Sequence, residues 1–154
     1  MDANEQIIEL LNDLVKINND RIAGYQRAIK EANDLDIDLK SVFDGMIKES
    51  EQYKQELTGH IEKHGGRIED DTTTAGKIYR AWMDVKATFT GSDRVAILES
   101  CEFGEDAAQR AYDAALALDI PLDEDCRQLI TEQQQALKNS HNLIKKYRNA
   151  HSAA

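Results

Sequence analysis

The chain contains little that would break a helix. Proline occurs once in 154 residues and glycine eight times, and apolar–polar alternation long enough for a half-buried strand is absent, so the helix is the regular element to expect. No apolar run approaches the ~20 residues that span a bilayer, which removes a membrane helix from the expected repertoire. Basic charge is also short: 19 Lys and Arg stand against 29 Asp and Glu, a net charge of −10. A nucleic-acid partner is therefore not expected, because a phosphate backbone is held by clustered cations that this composition does not supply. The start, Met1-Asp2-Ala3-Asn4-Glu5, lacks the basic residues and apolar core of a signal peptide, and a cytoplasmic location is expected. The two cysteines, Cys101 and Cys126, fall on different expected helices without ligand spacing, so reduced, partly buried thiols are expected rather than a zinc site. There is no glycine-rich phosphate loop, no nucleophile elbow and no cysteine close to a histidine in sequence, so hydrolase and transferase chemistry gain no support.

What is present is helical periodicity in a composition 41% hydrophobic and 31% charged, the balance of a single folded domain over 1–154. A first helix, at about residues 4–32, carries Ile7, Leu11, Leu14, Ile22, Tyr25 and Ile29 on one face. A second, at about 38–64, carries Leu39, Phe43, Met46, Tyr53, Leu57 and Ile61, and Gly65-Gly66 is placed to close it. A short amphipathic helix is expected at about 75–89, with Tyr79, Trp82 and Phe89 as a lid or a homodimer contact. Ser92 or Asp93 would cap a helix at about 93–118. After Pro121, the charges of Asp123 to Asp125 favour the start of a last helix at about 123–149.

Polar residues interrupt the apolar stripes midway along these helices: Asn18, Glu49, Glu105, Gln133 and His141, with Glu102 one turn before Glu105. Such a layer is expected either to fix helix register through buried amides and carboxylates or to hold a metal. Tyr25, Tyr53 and Tyr112 are expected to close the layer with their hydroxyls while their rings fill the core, and His141 to bond to Glu105 or Tyr25. Gln134 is read as a further register device. Asn18 precedes Tyr25 by seven residues and Glu105 precedes Tyr112 by seven, a faint repeat between the first and third long helices. The long connection between the second and third, Gly65 to Ser92, suits a four-helix bundle with one crossover, the topology of ferritin-like proteins. Glu56 and His60, four apart on one helix face, form either a surface pair near a helix end or a pair of metal ligands.

The stretch Ile97-Leu98-Glu99-Ser100-Cys101-Glu102-Phe103-Gly104-Glu105-Asp106, together with Arg80-Ala81-Trp82 and Thr90-Gly91-Ser92-Asp93, resembles a group of bacterial four-helix-bundle proteins of unknown function in the ferritin-like superfamily. The resemblance implies an all-α, ferritin-like bundle and an arginine before Gly104, where this chain has Phe103. A ferritin-like two-metal centre takes a carboxylate from each of two helices and a Glu-x-x-His pair from each of the others. Here helix three offers Glu102 and Glu105. Helix two has Glu49-Ser50-Glu51-Gln52, without the histidine. Helix four has His141 preceded three residues earlier by Lys138 in place of the carboxylate. A full two-metal site is not expected, and two readings stay open. One is a non-catalytic bundle, an interaction or stress-related protein with a buried polar layer. The other is a reduced iron or manganese site on Glu49, Glu102, Glu105 and His141, used for oxygen or peroxide chemistry or metal storage. Lys138 separates them: pointing inward it would neutralise Glu105 in place of an ion, and pointing outward it would leave room for one.

Overall fold

A computed structural model of the chain describes residues 2–32, 37–68 and 94–152. Four long helices account for nearly all of them: α1 (Ala3–Ala32), α2 (Ile37–Lys63), α3 (Arg94–Ala117) and α4 (Glu124–Ser152). No strand occurs among the described residues, so the all-α bundle expected from periodicity is what forms. The expected short helix at 75–89, with Tyr79, Trp82 and Phe89, lies outside the described residues, as do Ser92 and Asp93.

The helix ends follow from local chemistry. Asp2 caps α1, its Oδ1 accepting the Glu5 amide at 2.8 Å. At the end of α2, Gly65 adopts φ 81°, the left-handed conformation that costs glycine little. The Gly65 amide donates to the Glu62 carbonyl and the Gly66 amide to that of Ile61, both at 2.9 Å, the paired bonds of a Schellman closure. Asp123 begins α4, its carbonyl taking the Arg127 amide at 3.0 Å and its Oδ2 the Cys126 amide at 3.4 Å.

Side-chain pairings set the topology. Asn18 meets Ser50 and Asn4 meets His64, so α1 and α2 run antiparallel. Tyr112 meets Gln133 and Glu102 meets Arg148, which makes α3 and α4 a second antiparallel pair. The pairs join through α1 against α3, again antiparallel, and through a smaller contact of α2 with α4. Consequently α2 and α3 point the same way, with the end of α2 and the start of α3 at opposite ends of the bundle.

The core divides in two. One apolar cluster, including Leu11, Leu14, Ile17, Leu57, Ile61, Ala108, Ile130 and Leu137, fills the half where α2 ends and α4 begins. The other, including Tyr25, Phe43, Met46, Leu98 and Ile144, fills the opposite half. Among the described residues nine buried polar or charged ones accompany them, and Asn18, Arg21, Ser50, Glu105, Gln133 and Ser140 form the layer between the halves.

Candidate functional site

Arg21, buried to 4% exposure, is the hub of that layer. Its Nε donates to Glu105 Oε1 at 2.6 Å, one Nη to Ser50 Oγ at 2.7 Å and the other to Glu49 Oε1 at 2.9 Å. The guanidinium carbon also lies 5.5 Å from the centre of the Tyr25 ring, within cation–π range. Burial by itself opposes the guanidinium charge, but the facing carboxylates of Glu105 and Glu49 prevail and hold Arg21 protonated well beyond its ordinary range. Tyr25 donates to the same Glu105 oxygen at 2.6 Å, while Ser140 donates to Glu49 Oε1 at 2.8 Å. All four helices thus contribute to one charge-paired layer.

A second set of bonds runs from Arg21 through neutral groups in a single direction. Ser50 donates to Asn18 Oδ1 at 2.9 Å, Asn18 Nδ2 to the Tyr112 hydroxyl at 2.9 Å, and Tyr112 to Gln133 Oε1 at 2.6 Å. Gln133 ends the relay by donating to Glu56 Oε1 at 3.2 Å and to the Tyr53 carbonyl at 3.3 Å. The seven-residue repeat acquires a structural meaning here. Asn18 of α1 bonds Tyr112 of α3, and Tyr25 of α1 bonds Glu105 of α3, two reciprocal contacts across an antiparallel helix pair.

Burial pushes the Tyr25, Tyr53 and Tyr112 hydroxyls above their ordinary range, with the charges of Glu105 and Glu49 adding to the effect at Tyr25 and Tyr53 respectively. Tyr53 also bonds the Glu49 side chain. Burial, then the nearby charge of Glu105, raises the Cys101 thiol as well. Within the layer, Glu105 Oε2 is buried and has no hydrogen-bond partner among the described residues.

The expected layer members Asn18, Glu49, Glu105, Gln133, Tyr25, Tyr53 and Tyr112 are brought together. Glu102 and His141 are not. Glu102 pairs with Arg148, and His141 Nε2 lies 3.6 Å from Asp106 Oδ1, not against Glu105 or Tyr25. Gln134 bonds Asp113 toward the outside of the α3–α4 pair. Lys138 is exposed, and the cation that faces Glu105 is Arg21. Phe103 is 45% exposed, so the residue in the place of the expected arginine faces away from the layer. Glu56 and His60 do not act as a pair: Glu56 takes Gln133, and His60 turns to Cys126. Sequence reasoning passed over Arg21, Ser50 and Ser140. For Arg21 a signal existed, since it sits three residues after Asn18 and four before Tyr25 on the same face.

Residues 6–118 match the family described as domain of unknown function (DUF2383). The chain belongs to that family. The DUF2383 match takes in α1, α2 and α3, and with them Arg21 and both of its carboxylate partners; α4, with Gln133 and Ser140, lies beyond it. No curated protein matches the chain.

Proposed function

We propose that this protein is a non-catalytic bundle of ferritin-like architecture, a cytoplasmic interaction or stress-related protein in which a charge-paired polar layer has taken the place of a metal centre. The observation that carries the reading is Arg21. Its guanidinium binds Glu49 and Glu105 at once, occupying the position and supplying the positive charge that an ion between those carboxylates would otherwise provide. The two-hairpin arrangement with a long connection between α2 and α3 suits ferritin-like topology. Surface chemistry favours protein contacts over nucleic acid: the net charge is −10, and two large apolar side chains, Phe103 and Leu143, are 45% and 40% exposed on α3 and α4.

A second reading draws on Glu105 Oε2, a buried acceptor without a donor. In that reading Arg21 swings away and Glu49, Glu102, Glu105 and His141 hold one iron or manganese ion. Anaerobic loading with ferrous iron, and separately with manganese, decides between the two when bound metal is quantified in the parent and in Glu105→Ala. The proposal expects no metal that depends on Glu105 and no catalysed iron oxidation on admitting air. Stoichiometric metal lost in Glu105→Ala would overturn it in favour of the metal protein.

A further inference from the structure

At the end of the bundle remote from the central layer's charges, the last turn of α2 meets the first turn of α4. His60 Nδ1 lies 3.3 Å from Cys126 Sγ. His64 Nε2 lies 3.5 Å from the same sulfur and 3.0 Å from Asp123 Oδ1. The donor atoms of His60, Asp123 and Cys126 all fall within 4.8 Å of one another. A tetrahedral zinc ion with Zn–N of about 2.0–2.1 Å and Zn–S of about 2.3 Å separates its donors by roughly 3.3–3.6 Å, the range in which both histidine nitrogens stand from Cys126 Sγ.

The bonds of His64 aim its ring at the same cluster. Asn4 Nδ2 donates to the His64 carbonyl at 2.7 Å, which fixes the amide so that its Oδ1 faces His64 Nδ1 at 2.8 Å. An amide oxygen only accepts, so Nδ1 donates to it. That leaves Nε2 facing the Asp123 carboxylate and the Cys126 sulfur, a contact that either an N–H on Nε2 or a shared cation would satisfy.

We propose that His60, His64, Asp123 and Cys126 form a binding site for a zinc-class divalent cation that fastens α2 to α4. One thiolate, one carboxylate and two neutral imidazoles would make the filled site electrically neutral. The ligand set, sulfur with nitrogen and one oxygen, selects zinc over the harder cations. Loading breaks the Cys126 S–H bond, forms a sulfur–metal bond and releases one proton to solvent. A groove lined by Gly59, His60, Lys63, Asp125, Gln128 and Glu132 gives access beside His60. Sequence spacing could not show this site, because its halves lie about sixty residues apart and meet only through the packing of α2 on α4.

Cobalt(II) is the probe, added to the reduced full-length chain and then displaced by zinc. One equivalent per chain is expected, with the intense visible bands of tetrahedral cobalt and a thiolate-to-cobalt charge-transfer absorption. Cys126→Ser should abolish the charge-transfer absorption, whereas Cys101→Ser and Glu105→Ala should leave it intact. His60→Ala and His64→Ala should each weaken binding more than ~10-fold, and Asn4→Ala, which removes only the outer partner of His64, by about 10-fold. If Cys126→Ser is unfolded by circular dichroism, the two histidine variants carry the test. Absence of the thiolate absorption in the parent, or equal affinity in parent and histidine variants, would overturn the proposal. The His64–Asp123 contact would then be a metal-free pairing of the α2 and α4 ends.

Discussion

The middle of the bundle and its α2–α4 end are both polar, and they solve the cost of burying polar groups in opposite ways. At the centre, Arg21 brings a permanent charge that never titrates near neutrality and meets it with two carboxylates, a serine and a tyrosine. At the end, two histidines, a thiol and a capping aspartate, most of them part-exposed, meet beside the exposed Lys63–Asp125 pair. The difference teaches where each region can respond. A closed network of fixed charge specifies structure, whereas a cluster whose charge depends on protons or cations can take up and release them.

Alkaline titration should strike the centre hardest. The Tyr25, Tyr53 and Tyr112 hydroxyls and the Cys101 thiol all lie above their ordinary range in the folded chain. Their stabilisation is fully present below their unfolded values, about 8.5 for cysteine and 10 for tyrosine, and is lost as pH rises through those values toward the folded ones. Unfolding and ionisation of these tyrosines are therefore expected to coincide in one transition when helicity and tyrosinate absorbance are followed together. Ionisation of Tyr25 and Tyr112 with helicity intact would show the layer to be open to water.

Removing the hub by Arg21→Ala should cost on the order of 3–5 kcal/mol in chemical denaturation, because Glu105 is left buried and charged without its partner. Arg21→Met combined with Glu105→Leu should recover most of that loss, since apolar replacement of a buried pair is often neutral or stabilising. A single variant as stable as the parent would mean that the layer contributes nothing to the fold. At the other end, Asn4→Ala should shift stability by only about 0.5–1 kcal/mol, since its two bonds are exposed. A loss as large as that of Arg21→Ala would erase the distinction between the regions.

Much of the fold was legible from the sequence because its cues are local. Gly65-Gly66 closes α2 through backbone conformation alone, and Asp123 opens α4 through its own side chain and carbonyl. The central amides and carboxylates were legible as breaks in apolar stripes. Arg21 shares the face of Asn18 and Tyr25, but that position alone does not separate a head that snorkels to water from one that turns inward. Ser50 and Ser140 are small enough to pass as neutral spacers between larger residues. The His60–Cys126 contact was hidden for a different reason: it is a property of which helix ends meet, and no spacing along the chain encodes it.

The reciprocal contacts between α1 and α3 also constrain the order in which the chain can assemble. Each hairpin draws on near neighbours in sequence, but Arg21 rides on one and Glu105 on the other, eighty-four residues away. Arg21 has Glu49 within its own hairpin, whereas Glu105 has no cation there among the described bonds. An approach shifted by one turn would bury Glu105 against an apolar wall and lose the Asn18–Tyr112 bond in the same move. The layer thus fixes the one register in which the two hairpins satisfy all of these groups together.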